Sequence, residues 1–311
     1  MTTAPLFLSS GNLLADRRFQ FAADLAQRGD DVGAADLLRQ AVEIAPDFVS
    51  AWFALGEIRA RLGDRHNAVA ALHKARDLDP QDRHGASLHL ARLGAPIDRP
   101  MTPAYVRTLF DQYAPHFDRA LVEGLGYRAP AVLRAVIAKV CAADDRAPRF
   151  SAVLDLGCGT GLGGEEFRPL AERLIGVDLS PGMIAVAATK KTYDRLQTGD
   201  LLQFMKAEAE AAQRYDLVIA ADVFAYFPDL APIAAATARV LAPNGLFAFT
   251  IETHSGDGVV LGEKLRFAHG RTHVRTALAD AGLAPAAMSE ASARTEAGVA
   301  VPGRVVIAKR P

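Results

Sequence analysis

Apolar and polar positions change period once along this chain. From about residue 13 to residue 93, apolar and small residues recur at helical spacing, which predicts a succession of short amphipathic helices. From residue 150 to residue 252, short apolar runs alternate with helical patterns. The runs are Val153–Leu156, Leu174–Asp178, Leu196–Leu201, Tyr215–Asp222 and Leu246–Glu252. Between them, helices are predicted over Gly164–Glu172, onward from Leu179–Met183, over Leu201–Ala212 and over Leu230–Leu241. Ser180 supplies an N-cap and Pro181 a first helical position, and Pro243-Asn244-Gly245 ends the last helix before a strand. Strands interleaved with helices predict an open parallel α/β sheet. Beyond Glu252 the regularity fades. A loop over Thr253–Gly258, a segment Leu265–Arg271, a helix near Thr272–Ala281 and two antiparallel strands, about 285–292 and 303–309, complete the reading.

The helical stretch repeats itself. Trp52, Leu55, Gly56, Gly63, Ala68, Leu72, Ala75 and Pro80 keep the offsets of a tetratricopeptide repeat, whose period is about 34 residues. One period earlier stand Arg18, Phe21, Ala22, Gly29, Ala34, Leu38, Ala41 and Pro46, most of which suit the same pattern. Small residues let paired helices approach, the prolines end second helices, and a helix near Arg83–Leu93 would cap the stack. Such a short array could bind a partner, pair two copies of the chain or roof an active site. Prolines at 96, 100 and 103 mark a linker, so the expected domains are residues 1–98 and 99–311.

Composition narrows the class little. The chain has 311 residues, half of them hydrophobic, with a net charge of −1. No global basic field points to nucleic acid or an anionic membrane. The 2 cysteines suit a reducing cytoplasm rather than a disulfide framework. The apolar stretch Pro5–Leu8 is too short for a membrane span and lacks the basic start of a secretory signal.

The chemistry concentrates after the first predicted strand, in Asp155-Leu-Gly157-Cys158-Gly159-Thr-Gly161. A dinucleotide fingerprint would need glycine at 162, which is Leu, and a Walker loop would need Lys followed by Ser or Thr. Both are excluded. An acid with tight glycines but no phosphate chemistry suits a ligand bearing hydroxyls and a cation. The motif resembles that of the class I S-adenosylmethionine-dependent methyltransferases, and the resemblance covers about residues 102–311. Joined to the repeats, the chain resembles bacterial fusions of tetratricopeptide repeats with a methyltransferase domain.

That resemblance implies a seven-stranded Rossmann-like sheet with helices on both faces, preceded by an all-α repeat domain. It implies S-adenosylmethionine (SAM) as cofactor and S-adenosylhomocysteine (SAH) as product. The segment 102–126, with Tyr113 and His116, would fold over the cofactor as lid helices. Asp155, Gly157, Cys158, Gly159 and Gly161 would cradle the cofactor and Asp178 would hold ribose hydroxyls. Leu179 and Met183 would flank the adenine, and Gly199, Asp200 and Leu201 would read its edge. Ala221 and Asp222 would meet the methionine end and the substrate mouth. Asp200 reads equally as a helix N-cap.

Methyl transfer is an in-line displacement that needs a base only for a protonated acceptor. His254, Tyr226, His269 and Glu252 are the candidates, with Arg266, Phe267 and Arg271 a substrate-facing cluster if their segment turns toward the site. Markers of base, glutamine and carbon-5 pyrimidine methylation are absent, and no metal-ligand cluster is legible. A small-molecule acceptor, with neither nucleic acid nor membrane as partner, is the leading expectation. The alternatives are a partner-binding or SAM-sensing protein, and a methyltransferase whose repeats recruit a protein or peptide acceptor.

Overall fold

The computed structural model describes residues 9–98 and 100–311, so the Pro5–Leu8 stretch lies outside the described residues. The chain divides into two compact units between Leu109 and Phe110.

The first unit is helical. Helix α1 (Leu13–Gln27) pairs with α2 (Asp31–Ile44), α3 (Val49–Arg61) with α4 (Arg65–Leu78), and α4 also meets α5 (Ala86–Arg92). The periodicity of the sequence is repeated in the geometry. Asp30 and Asp64 cap α2 and α4, each accepting the backbone N–H three residues on, from Gly33 and Asn67. Gly29 and Gly63 precede those caps with φ of +84° and +77°. Gly56 lets the α3–α4 pair close: a Cβ there would stand 2.6 Å from Leu72 Cγ. Phe19, Leu38, Val42, Phe48, Leu55 and Ile58 form one buried cluster of this unit.

Helix α6 (Pro103–Tyr113) crosses the division between the units. Its start belongs with the helical unit: Thr102 Oγ1 donates to the Gln81 carbonyl at 3.3 Å, and the Tyr105 ring occupies the space a Cβ on Gly85 would need. The unit boundary thus falls beyond the proline-rich linker at which the sequence pattern changes.

In the second unit, α6 runs on through a 3₁₀ turn at Ala114–His116, α7 (Phe117–Arg119) and a π-helical turn at Ala120–Gly124 to α8 (Ala129–Ala143). There follow β1 (Phe150–Leu156), α9 (Leu162–Phe167), β2 (Ala171–Asp178), α10 (Pro181–Lys190), β3 (Arg195–Thr198), α11 (Leu201–Glu210), β4 (Tyr215–Ala220), α12 (Ala231–Val240) and β5 (Leu241–Glu252). Last come β6 (Val259–Leu261), β7 (Phe267–His269), α13 (Arg271–Asp280), β8 (Ala284–Glu290), β9 (Thr295–Glu296), β10 (Val299–Ala300) and β11 (Gly303–Lys309).

The central sheet has the order β3-β2-β1-β4-β5-β11-β8, with β7 on the far end of β5 and β6 on β7. The first five strands are parallel, and β11 alone is reversed, pairing antiparallel with β5 on one side and β8 on the other. Val153, Leu154, Leu156, Leu217, Val218 and Ile219 are fully buried, as strands covered on both faces require. Asn244 takes a left-handed φ of +61° where β5 bulges against β4. Hairpin β6–β7 is an addition that the sequence pattern did not resolve: its strands are three residues each, too short to show a period. Strand order reverses between β1 and β4, and an open α/β sheet takes its ligands in the crevice at such a switch point.

Candidate active site

The glycine loop leaves β1 at that switch point. Gly157, Gly159 and Gly161 have φ of +66°, +53° and +92°, which side chains with a Cβ resist. The loop is hung from β2, where the Val177 carbonyl accepts from both Gly157 N and Cys158 N, at 2.8 and 3.0 Å. A Cβ on Gly157 would strike Val223, whereas one on Gly159 or Gly199 would meet no atom within 4 Å. Open space therefore lies against Gly159 and Gly199.

Asp178, at the end of β2, is 9% exposed. Its Oδ2 accepts from Gly159 N at 2.9 Å and its Oδ1 from Ser180 N at 2.8 Å, and the carboxylate keeps acceptor capacity for a further donor. Burial pushes its carboxyl above the ordinary range, while those backbone N–H groups oppose the shift. Asp200 spends Oδ1 on capping α11 through Leu202 N and Gln203 N, both at 3.0 Å. Cap and ligand contact are compatible, because Oδ2 is not used by the cap.

Asp155 sits beneath the loop. It is 1% exposed, and its Oδ2 accepts from the Tyr193 hydroxyl at 2.7 Å. Burial pushes its carboxyl up to about 7. Its observed role is to support the loop from behind. Tyr193 fills the space left by missing side chains: a Cβ on Gly164, Gly176 or Gly161 would approach its ring to 2.5, 2.9 or 3.3 Å. Cys158 is buried and free, its thiol pushed up by burial. Met183 is wholly buried, Leu201 nearly so, and Leu179, Tyr113 and Ala221 are half-buried.

Two carboxylates fasten the segment before α8 to these loops, and both escaped the sequence reading. Asp111 Oδ1 accepts from Ser180 Oγ at 2.5 Å and from Gly182 N at 3.0 Å. Asp118 accepts from Thr160 Oγ1 and pairs with Lys190 Nζ at 2.8 Å. Tyr127 donates from its hydroxyl to the Ala221 carbonyl at 3.3 Å, and Phe110 meets Tyr226 edge to face at 5.1 Å. His116, in the same segment, is exposed.

The ends of β4 and β5 hold a charge cluster. Asp222 follows β4 with φ +62°, and its backbone N donates to Thr250 Oγ1. Its carboxylate is turned onto Arg294, with both oxygens 2.7 Å from Nη1. Glu252 meets Arg294 and, at 3.4 Å, Arg266, whose guanidinium stands 6.0 Å from the Tyr226 ring centre. Burial raises Asp222 to about 6 and Glu252 to about 7, with Arg266 opposing both shifts.

The histidines fall elsewhere. β7 pairs with β5 through Ala268 and Glu252, and the two-residue period of a strand sends Phe267 and His269 inward. His269 is wholly buried, with Nε2 3.0 Å from the Phe224 carbonyl and its ring stacked on His273 at 5.4 Å. Burial lowers its pKa to about 4. It is a neutral core histidine and does not line the open space. The expected grouping of Arg266, Phe267 and Arg271 does not form, since Arg266 joins the charge cluster, Phe267 is core and Arg271 is exposed at the start of α13. His254 closes its own turn, with Nδ1 accepting from Gly256 N and Nε2 3.2 Å from the Gly258 carbonyl.

Residues 154–249 match the family model described as "Methyltransferase domain". A ubiquinone biosynthesis O-methyltransferase of Bartonella bacilliformis is 29% identical over 123 residues, covering 38% of this chain and 50% of that protein. Methyltransferase-like protein 27 of Homo sapiens is 33% identical over 149 residues, covering 48% and 58%. The chain spans about half the length of the curated relatives it matches. Among solved structures, magnesium protoporphyrin IX methyltransferase from Synechocystis PCC 6803 with bound SAM aligns at 21% identity and TM-score 0.49, covering 70% of this chain and 99% of that one. The matched segment holds the glycine loop, Asp178 and Asp200. It supports a SAM-dependent methyltransferase domain, with SAM as its cofactor.

Proposed function

We propose that the protein transfers the methyl group of SAM to an oxygen of a small-molecule acceptor, with the first unit serving as a short tetratricopeptide-type array. The observation that carries this reading is the open space against Gly159 and Gly199, bordered by a buried carboxylate with unused acceptor capacity. A nucleoside with vicinal hydroxyls fits that donor–acceptor balance, and a phosphate does not. SAM brings an electrophilic methyl on a sulfonium when bound. Asp178 would hold the ribose hydroxyls, the loop glycines would admit the chain of the cofactor, and Asp200 would face the adenine. Tyr127, Tyr226 and Phe110 would exclude water from the transfer side.

The oxygen acceptor is favoured by the relatives named as O-methyltransferases. The repeat reading rests on caps and turns recurring at one spacing, Gly29-Asp30 and Gly63-Asp64. Two free, buried cysteines favour a cytoplasmic setting. Calorimetry with SAH tests the cofactor assignment. Asp178→Ala is expected to weaken binding by roughly 1–3 kcal/mol, as loss of a charged hydrogen-bond acceptor does. Affinity should also fall on acidification, because the carboxyl raised by burial takes up a proton and stops accepting. A wild-type chain that binds neither SAM nor SAH would sink the reading. Radiolabelled methyl transfer to a panel of phenols then tests the acceptor.

A further inference from the structure

One buried side chain holds three carboxylates together at the ends of β4 and β5. Arg294 is 1% exposed, in the excursion between β8 and β11. Its Nη1 donates to both oxygens of Asp222 at 2.7 Å, its Nη2 to Glu252 Oε1 and its Nε to Glu296 Oε1 at 3.2 Å. Every guanidinium nitrogen is engaged. Three acids exceed the charge of one arginine, and a second, Arg266, reaches Glu252 and Glu296 at 3.4 and 3.3 Å. Lys264 pairs with Glu296 at the exposed rim.

The same excursion is tied to the chain that follows the lid segment. Arg128 N donates to the Ala293 carbonyl at 2.8 Å, and Thr295 Oγ1 to the Leu125 carbonyl at 3.1 Å. Thus the ends of β4 and β5 meet at the Arg294 guanidinium, its neighbours Ala293 and Thr295 tie the chain before α8 to the same excursion, and Arg266 joins the β6–β7 hairpin to the same carboxylates. Asp222 keeps a left-handed backbone there, a conformation that a residue with a Cβ holds only where its surroundings fix it. Each hydrogen bond of the Arg294 guanidinium goes to Asp222, Glu252 or Glu296, and none to the glycine loop, Asp178 or Asp200.

We propose that Arg294 is a positioning residue for the methyl-accepting side of the site: it locks Asp222 and Glu252 in place as a hydrogen-bonded wall beside Tyr226 and leaves the cofactor side untouched. Glu252 spends Oε1 on both arginines, which would leave Oε2 to accept from an acceptor's O–H or N–H. This rests on the methyltransferase reading above. It also moves the Asp222 carboxylate from the cofactor to the acceptor wall. The reason is mutual: without Arg294, three neighbouring carboxylates keep only Arg266 and the rim Lys264, and at least one of them takes up a proton.

The test uses the full chain with Arg294→Lys and Arg294→Met, and SAH as the probe. SAH affinity is expected to stay within about twofold of wild type, as for independent sites. Hydrogen exchange at residues 222–226 and 292–296 should rise by about tenfold in Arg294→Met, reflecting local opening. The protonated-carboxyl infrared band at neutral pH should grow in Arg294→Met relative to wild type, stay near the wild-type level in Arg294→Lys, and shrink again when Glu252→Gln is added to Arg294→Met. If Arg294→Met does not fold, Glu296→Gln removes one arm of the lock, and a smaller rise in exchange over the same residues is expected. Unchanged exchange with no growth of the band overturns the proposal, as does an SAH affinity lost as fully as in Asp178→Ala. Failure of the wild type to bind SAH removes the methyltransferase reading instead, and leaves the charge lock to be judged by exchange and infrared.

Discussion

Tyr193 donates its hydroxyl to Asp155 at 2.7 Å, and this pair is the buttress under the glycine loop. The carboxyl is wholly enclosed and raised to about 7, so the folded chain keeps its proton across a range in which the unfolded chain, at an ordinary 3.8, has lost it. The sign follows directly. Stability is greatest while both states are protonated and declines as pH rises from about 4 toward about 7.

Asp155→Asn removes that titration while keeping an acceptor for Tyr193. Relative to wild type, the variant should be less favoured at pH 5 than at pH 8, the gap moving by roughly 2–4 kcal/mol for a shift of this size. Melting curves of both proteins at the two pH values measure it. A gap independent of pH would mean that Asp155 is ionised throughout.

The segment before α8 is fastened by two carboxylates, Asp111 on Ser180 and Gly182 at the start of α10, and Asp118 on Thr160 of the glycine loop and Lys190 at the end of α10. Thr160 follows Gly159 in the glycine loop, and Asp178, which accepts from Gly159 N, stands two residues before Ser180. Asp118→Asn and Asp111→Asn should each speed SAH dissociation by about tenfold, the loss of one charge-assisted hydrogen bond, with little change in melting temperature. Stopped-flow displacement of a fluorescent SAH analogue reads the rate. Unaltered dissociation would separate this segment from ligand exchange.

Local signals were legible in the sequence and distant ones were not. Val153–Leu156, the Ser180 cap and Asp178 show themselves through neighbours a few residues away, and the structure has β1, the start of α10 and the end of β2 there. The fasteners of the site join residues 42, 69 and 72 positions apart, in Asp118–Thr160, Asp111–Ser180 and Asp222–Arg294. No period encodes such pairs. His254 and His269 stood out as the titratable groups after β5, yet β7 is too short to show in advance which side His269 faces. Tyr193 had no signal of its own. Only the glycines at 161, 164 and 176 hinted that something large needed room.

His269 supplies a test of that difference between a catalytic and a core histidine. Its pKa is lowered by burial from 6.5 to about 4, so the folded state refuses a proton that the unfolded state accepts. Stability is full above pH 6.5 and is lost as pH falls toward 4. His269→Ala should cost roughly 1–3 kcal/mol at neutral pH and less under acid, by chemical denaturation at both. SAH affinity should not change. A variant of wild-type stability that has lost methyl transfer would restore His269 to the chemistry.

The helical unit can be followed separately, because Trp52 is the only tryptophan of the chain and lies in α3. Its indole donates to the Pro46 carbonyl at 2.7 Å, so its emission reports the packing of the helical unit. Gly56, one turn further along the helix, stands where a Cβ would press on Leu72 Cγ at 2.6 Å. Gly56→Ala should therefore destabilise this unit by roughly 1–3 kcal/mol, an overpacking cost that outweighs the gain in helix propensity. The expected result is an earlier tryptophan transition in urea with SAH affinity retained. A later transition would show that α3 and α4 separate freely, and that the small residue at 56 is not what sets their approach.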